Sequence, residues 1–292
     1  MARLGMNPNR DKLVKSDPPA YTLSMITHLP YMSGYHKGRK QIIELSLNSM
    51  MMNSFPFREE YQVVVFDNGS CREWQTKLLE MVAAGYIDQV ILSHHNIGKP
   101  AALRVLMGAS RTRIFGYSDD DILFYENWFM QQIHLLTNFP NVAKVSGVPV
   151  KSLFPHYLDQ SHYDFKGNDG TVKTEVGQWF PREWLEDDAM GRGMPIELYL
   201  KVHGDDEILL KTGTVEAFGH GHHCQFLGYR DLLLEHLPDS NQMAMGRMRE
   251  WDNAIQDSGL YQITTKNRTA RHMGNVLDSV IVNEVIEMGL VL

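Results

Sequence analysis

The sequence is poor in cysteine, in long apolar runs and in excess positive charge. Two cysteines, Cys71 and Cys224, among 292 residues imply no disulfide framework and favour a reducing compartment. No apolar run approaches the ~20 residues of a membrane-spanning helix, and the N-terminus lacks the apolar core of a signal peptide. Because 28 basic and 35 acidic residues give a net charge of −7, nucleic acid is disfavoured as a partner. We expect a cytoplasmic protein with no transmembrane segment and no nucleic-acid partner.

The composition is otherwise that of a globular protein, and it divides the chain into three parts. Hydrophobic residues make up 43% and charged residues 22%, so disorder is excluded as the dominant state. Residues 1–20 have no apolar periodicity and end near a Pro-Pro pair, which predicts a flexible N-terminal tail. We expect residues 21–150 and 151–292 to form two halves of one domain.

The first half alternates β-rich runs with helical stretches. A stripe such as Trp74, Leu78 and Met81 has helical spacing, and three similar stripes occur between the other runs. Strands that alternate with helices of this length are typical of an α/β protein, here with a mostly parallel central sheet flanked by helices. The predicted strands are 21–29, 61–66, 88–93, 113–118 and 142–150.

The pattern changes after residue 150. Residues 151–183 are rich in Gly, Asp, His, Tyr and Pro, which predicts long loops with irregular strands. We predict one helix from Pro195 to Gly204 and a second from Asp206 to about Lys211. A last apolar stripe, from Leu277 to Met288, predicts a C-terminal helix.

Polar clusters follow three of the first-half strands. Ligands of parallel sheets bind beyond the carboxyl ends of the strands, so these clusters are candidate site residues. The segments 67–70 (DNGS) and 94–99 (HHNIGK) would each, taken alone, be ordinary turns or helix starts. Asp119, Asp120 and Asp121 differ, because three adjacent carboxylates repel one another and need a compensating cation. A divalent metal with oxygen ligands supplies that compensation.

Other acidic and histidine-rich segments have weaker signals. Residues 186–188 (EDD) are interpreted as a solvated loop. Residues 205–207 (DDE) are predicted to open a helix, where one carboxylate caps the helix and another projects as a general base. For residues 220–223 (HGHH) a packed turn is favoured over a zinc site, and His272 by itself indicates little.

Taken together, these motifs resemble family-2 glycosyltransferases with the GT-A fold. The series consists of Ile26-Thr27-His28, then 67–70, Asn96-Ile97-Gly98-Lys99, and Ser118 with the three aspartates, on successive strands. The segment 204–210 (GDDEILL) is similar to the family's acidic motif, although Asp-Asp stands where Glu-Asp is more usual. A Gln-x-x-Arg-Trp sequence is missing, so single-sugar transfer is favoured over processive synthesis.

The resemblance implies roles in donor binding. Thr27 and Asp67 would contact the base and ribose of the nucleotide, and Asp119 would bind the ribose or a metal-linked water. Asp121 would ligate Mn²⁺ or Mg²⁺ as part of a DXD motif, with Asp119 as a further ligand and His272 completing the metal shell. The implied nucleotide-sugar-binding residues are Thr27, His28, Asp67, Asn96, Lys99, Asp119 and Asp120.

The resemblance also implies the chemistry. Asp206, or as second choice Asp205, would accept the proton of the acceptor hydroxyl. Trp179 and Phe180 would contact the acceptor or sugar. The expected function is a metal-dependent inverting transfer of one sugar from a nucleotide sugar, by default a UDP-sugar, to a glycan, lipid-linked or protein acceptor.

Three alternatives stay open. A nucleotidyltransferase acting on a sugar phosphate also suits paired aspartates with a metal, but its glycine-rich loop after the first strand is sparse here. A non-catalytic nucleotide-sugar or glycan-binding module would bind donor without turnover. A zinc hydrolase built on His220, His222 and His223 would contain stoichiometric zinc.

Overall fold

The computed structural model describes residues 19–151, 170–204, 206–239 and 247–290. Its strands and helices alternate through the first half and become irregular in the second. The strands are β1 (Tyr21–Thr27), β2 (Tyr61–Asn68), β3 (Gln89–Ser93), β4 (Ile114–Ser118), β5 (Ile122–Phe124), β6 (Val142–Ser146), β7 (Lys173–Gly177), β8 (Glu207–Thr212), β9 (Val215–Gly219), β10 (Gln225–Tyr229), β11 (Tyr261–Thr264) and β12 (Ala270–His272).

The helices lie on both sides of these strands. They are α1 (Arg39–Met52), α2 (Arg72–Ala83), α3 (Lys99–Ala109), α4 (Trp128–Asn138), α5 (Arg182–Gly191), α6 (Ile196–His203), α7 (Arg230–His236), α8 (Arg247–Asp257) and α9 (Ser279–Glu287). In the part of the chain that the structure describes, no helix has both the length and the apolar character needed to cross a membrane.

Ten strands form one sheet, in the order β3-β2-β1-β4-β10-β6-β11-β9-β8-β7, and β5 pairs with β12 beside it. Strands β3, β2, β1 and β4 are parallel, and β10 enters antiparallel between β4 and β6. The second half therefore inserts a strand into the sheet of the first. Seven strands run in one direction (β1, β2, β3, β4, β6, β8 and β11), and β7, β9 and β10 run in the other, so the predicted mostly parallel sheet is confirmed.

Alternate residues of the central strands fill two hydrophobic cores. Leu23, Met25 and Val65 point to one face, where they join Trp74 and Leu78 of α2. Val64 and Phe66 point to the other face, with residues of α3 and Trp251 of α8. The near-continuous apolar sequence of β2 follows from this burial on both faces.

The predicted first-half elements are confirmed, and so is the helix between Pro195 and Gly204, which is α6. The second predicted helix, 206–211, is wrong: residues 207–212 form β8. This strand joins β9 through a two-residue turn at Gly213, whose φ of +56° suits glycine. The short apolar run 208–210, taken by itself, fits a helix or a strand. Its pairing with β7 and β9 determines that it forms a strand.

Three helices of the second half, α5, α7 and α8, were missed by the sequence analysis. The interpretation of residues 186–188 as a solvated loop is wrong, because they belong to α5. Helix α8 has buried residues Met248, Trp251 and Ile255 at positions i, i+3 and i+7, a spacing that predicts a helix. The C-terminal stripe forms α9, capped by the Asp278 side chain, which accepts a hydrogen bond from Ile281 N.

Candidate functional site

The loops after β2 and β3 are in direct contact at the carboxyl edge of the sheet. Asn68 Nδ2 donates to Asn96 Oδ1 at 3.1 Å, and Ile97 N donates to Asn68 Oδ1 at 2.8 Å. Gly69 has φ +80°, and a Cβ there would lie 2.7 Å from Asn96 N. Only glycine allows this close approach. The segments 67–70 and 94–99, which taken alone look like ordinary turns, therefore pack together as one structural unit.

Thr27 and Asp67 lie in the interior below this unit, each at most 1% exposed. Trp74 Nε1 donates to Thr27 Oγ1 at 3.1 Å. One oxygen of Asp67 accepts from Gln75 Nε2 at 2.8 Å and from Ser70 N at 3.2 Å. These bonds hold the loop in place, and direct contact of Thr27 or Asp67 with a nucleotide stays a prediction.

His28 links the same unit to the aspartate triplet. Its ring Nδ1 lies 2.9 Å from the Asn68 carbonyl oxygen, and its backbone N–H donates to Asp120 Oδ2 at 3.1 Å. The loops after β1, β2 and β4 are thus connected through one residue. The predicted meeting of the polar clusters at one edge is confirmed.

The three aspartates point to different neighbours. Asp119 forms an ion pair with Lys99, whose Nζ lies 2.6 and 2.8 Å from its two oxygens, and it also accepts from the Tyr117 hydroxyl. Asp120 is buried and pairs with Arg39. Asp121 faces His272, with 3.4 Å between Asp121 Oδ1 and His272 Nε2. Metal ligation by Asp119 and nucleotide contact by Asp119, Asp120 and Lys99 stay predictions.

The Asp121–His272 pair has the character of a cation site. Asp121 Oδ1 is buried and has no hydrogen-bond partner among the described residues. Burial raises the pKa of Asp121, and the charge of Asp119 adds to the effect, although His272 and Arg39 oppose it. A buried carboxylate with an unpartnered oxygen beside an imidazole nitrogen fits a hard divalent cation, whose charge would offset the repulsion.

The protein supplies a small number of ligands there. In residues 19–151, 170–204, 206–239 and 247–290, no group of three or more His, Cys, Asp or Glu side chains could hold a metal alone. A cation between Asp121 and His272 would need further oxygen ligands from a substrate or water, as Mg²⁺ sites with phosphate substrates commonly do.

Arg39 was missed by the sequence analysis. At the start of α1, it donates to Asp120 and to Asn275, and its Nη1 lies 3.8 Å from Asp121 Oδ2. Its guanidinium thus joins the first helix, the aspartate triplet and the segment after His272. One signal was available, because three adjacent buried carboxylates require a nearby cation, but the sequence offers several basic residues before α1.

A cavity of about 180 Å³ opens beside His272. Helix α5 contributes Asp187, Asp188 and Trp184 to its wall, and residues 148–150 and the segment before β10 also line it. Asp187 is held by Arg268 at 2.6 Å and by the buried Arg271 at 2.8 Å. Asp188 accepts from Tyr199 Oη at 2.5 Å and from Arg192 Nε at 3.1 Å. The acidic cluster of α5 is therefore part of the site region.

The second acidic cluster has a different position. Asp206 is exposed and lies where β8 begins, whereas the aspartate triplet follows the end of β4, which runs in the same direction. Among the described residues, Asp206 forms no hydrogen bond or ion pair with Asp121 or His272. Asp205 lies outside the described residues. A role for either as general base stays a prediction.

Trp179 and Phe180 are placed by Glu207, which was expected to open a helix. Glu207 Oε2 accepts from Trp179 N at 2.6 Å and from Phe180 N at 3.1 Å, and the buried Lys151 lies 2.9 Å from its other oxygen. Phe180 packs edge-on against Phe218, with ring centres 4.7 Å apart. The indole in the cavity wall is that of Trp184, so sugar contact by Trp179 and Phe180 stays a prediction.

Solved structures share this architecture. PcManGT, a mannosyltransferase from Pyrobaculum calidifontis solved with GDP-Man and Mn²⁺, is 16% identical with a TM-score of 0.50, covering 88% of this chain and 57% of that one. GalNAc-T7, solved with UDP, GalNAc and Mn²⁺, is 11% identical with a TM-score of 0.54, covering 88% and 44%. The chain has the GT-A fold.

The resemblance seen in the sequence motifs is thereby confirmed at the level of the fold. This chain spans about half the length of the two solved structures. No protein-family description matches its sequence, and neither does any curated protein.

Proposed function

We propose that this protein is a glycosyltransferase that moves one sugar from a nucleotide sugar to a hydroxyl group, with a divalent metal. The observation that carries the proposal is the buried, unpartnered oxygen of Asp121 facing His272, at the carboxyl edge of β4 in a GT-A fold. Ligands of such sheets bind at this edge. Both solved structures of the same fold contain Mn²⁺ and a nucleotide or nucleotide sugar, which supports the same substrate class here.

Asp121 and His272 would hold the metal. A bound Mn²⁺ or Mg²⁺ would stabilise the negative charge that develops on the departing nucleoside diphosphate. Lys99, at the first turn of α3, adds a cationic side chain and a helix N-terminus near the same edge, both favourable to phosphate. Asp119 holds the Lys99 ammonium group in place through the ion pair described above.

The reaction would be a single in-line displacement that inverts the anomeric centre. The acceptor oxygen bonds to the anomeric carbon as the bond from that carbon to the diphosphate oxygen breaks, and a carboxylate takes the hydroxyl proton. Asp187 and Asp188 both line the cavity beside His272. We propose Asp188 as this base because it pairs with the single arginine Arg192, whereas Asp187 pairs with both Arg268 and Arg271. Asp206 is the competing assignment.

The donor is proposed to be a UDP-sugar, on the interpretation of Asp67 as the residue that recognises the base. Of the two solved structures of this fold, one contains UDP and the other a GDP-sugar, so a test must include both nucleotides. The acceptor is proposed to be a glycan, a lipid-linked sugar or a protein.

The test is a binding and hydrolysis screen of UDP-, GDP- and dTDP-sugars with and without Mn²⁺. We expect one donor to bind in a Mn²⁺-dependent manner and to be slowly hydrolysed, and Asp121→Ala to weaken both by at least about 100-fold. Asp231→Ala, at an exposed aspartate of α7, is the matched control and should behave as wild type. Indifference of every donor to metal and to Asp121→Ala would overturn the proposal.

A further inference from the structure

His222 lies in the turn before β10, in a segment that the sequence analysis interpreted as a packed turn. In the structure its imidazole lines the cavity together with His272, Asp188 and Cys224. Its ring is stacked on that of His223, with centres 4.6 Å apart and planes 20° apart. The imidazole is therefore held in one position at the wall of the proposed substrate cavity.

A backbone hydrogen bond determines which ring nitrogen carries the proton. Cys224 N donates to His222 Nδ1 at 3.1 Å, so Nδ1 is an acceptor and has no proton. The proton of the neutral ring is then on Nε2. Because Nε2 carries a proton while Nδ1 accepts from the backbone, neither ring nitrogen of His222 has a lone pair to offer a metal.

The neutral form is favoured by the surroundings. Burial, with the neighbouring charges of His223, His220, Lys99 and His272, lowers the pKa of His222 well below its usual value. Within the described part of the chain, the Nε2–H group has no hydrogen-bond partner. An oriented donor without a partner, in the wall of a cavity, is a group that a ligand oxygen can satisfy.

We propose that His222 is a substrate-contacting residue that donates its Nε2–H group to an oxygen of the sugar in this cavity. The inference rests on the proposed function, since the cavity beside His272 is the place where the transferred sugar would lie. A sugar hydroxyl accepts such a hydrogen bond, and we expect a nucleoside diphosphate without its sugar to make no such contact. His222 therefore distinguishes the nucleotide sugar from the nucleotide.

The test compares two ligands on His222→Phe, which keeps an aromatic ring and removes the donor, and on His222→Gln, which keeps an N–H donor. Calorimetry with Mn²⁺ measures binding of the nucleotide sugar that wild type prefers and of the corresponding nucleoside diphosphate. We expect His222→Phe to weaken nucleotide-sugar binding about ten-fold, the effect of one neutral hydrogen bond, and to change diphosphate binding less than about two-fold. His222→Gln should recover part of the loss.

The control is His134→Phe at an exposed histidine of α4, which should change neither affinity. If His222→Phe bound the nucleotide sugar as tightly as wild type, that result would overturn the role of His222 and leave the proposed function untouched. An equal loss for both ligands would also overturn it, since that result indicates a structural role. Failure of wild type to bind any nucleotide sugar would overturn the proposed function and, with it, this role.

A measurement on the wild-type protein complements the variants. The ¹⁵N chemical shifts of the His222 ring report the tautomer directly, and we expect the Nε2–H form in the protein without ligand. The Nδ1–H form would contradict the inference even if the variants failed to fold.

Discussion

The two halves of the chain follow different rules. In residues 21–150 the strands β1 to β4 are parallel, so every loop that follows a strand lies at the same edge of the sheet. In residues 170–290, strand β8 runs in the direction of β1 to β4, whereas β7, β9 and β10 run in the opposite direction, so their ends are divided between two edges. The position of a motif after a strand is therefore informative in the first half only.

The site combines both halves, and the contributions differ in kind. The first half supplies Asp121 and the other polar residues that follow strands β1 to β4, which the sequence pattern predicts. The second half supplies His272, the cavity wall of α5 and the histidine turn before β10, whose proximity depends on long-range pairing. For example, β12 brings His272 opposite Ile122 of β5, next to Asp121.

The largest expected effect tests how the halves are joined. Lys144 of β6 is fully buried, and its Nζ lies 2.5 Å from Asp252 of α8. Burial opposes ionisation of Asp252, but Lys144 and His223 outweigh it and hold the pKa of this carboxyl well below its usual range. Asp252→Ala leaves a buried, unpaired charge and should lower the free energy of unfolding by about 3–5 kcal/mol, measured by urea denaturation.

A double variant sharpens this prediction. Lys144→Met with Asp252→Leu removes both charges and should recover most of the lost stability, since an apolar pair of similar volume replaces the ion pair. Asp231→Ala, at the surface of α7, should change the free energy of unfolding by less than about 0.5 kcal/mol. A double variant no more stable than Asp252→Ala would show that the pair is not what connects β6 to α8.

The next effect decides between the two acidic clusters of the second half. Asp188→Asn should lower kcat by about 100-fold or more, because the amide cannot take the acceptor proton, and should leave donor affinity nearly unchanged. Asp206→Asn is the matched variant at an exposed aspartate and should keep kcat within about three-fold of wild type. Steady-state kinetics with the identified donor and acceptor measure both. The opposite result would restore Asp206 as the base and remove Asp188 from the mechanism.

The smallest expected effect concerns Arg39, the residue of the first half that positions the proposed metal ligands. Arg39→Met should weaken Mn²⁺ binding about ten-fold or more, because Arg39 positions Asp120, Asp121 and the segment around Asn275 without being a ligand. Arg39→Lys keeps a cation and should restore part of the affinity. Titration with Mn²⁺, followed by electron paramagnetic resonance, measures the Mn²⁺ affinity in the absence of turnover. Unchanged Mn²⁺ affinity in Arg39→Met would remove Arg39 from the metal site.

Much of the first half was predictable because its signals are local. The apolar run of β2 and the stripe of α2 are sufficient to predict strand and helix, and the edge rule for parallel sheets brings Asn68, Asn96 and Asp119 together. Arg39 was not predictable in the same way, because its partners Asp120 and Asn275 lie 81 and 236 residues away in the sequence.

The second half shows where local signals are insufficient. The run 208–210 has no periodicity that separates strand from helix, and its pairing with β7 and β9 determines the outcome. The clusters 186–188 and 205–207 are alike in composition, yet Asp187 and Asp188 line the cavity while Asp206 lies exposed before β8. Composition reports the charge of a segment, whereas the path of the chain decides which charge faces a cavity.

The sequence alone determined the α/β class, five of the six strands of the first half and the aspartate triplet with its need for a cation, since each depends on neighbouring residues. Tertiary structure decided which aspartate keeps an oxygen without a hydrogen bond, because Lys99 pairs with Asp119 and Arg39 with Asp120, whereas Asp121 Oδ1 only faces His272. Tertiary structure also decided which ring nitrogen of His222 carries the proton, because the backbone N–H of Cys224, just before β10, donates to Nδ1. Hydrogen bonds and ion pairs depend on distances of a few ångströms, and only the folded chain sets those distances.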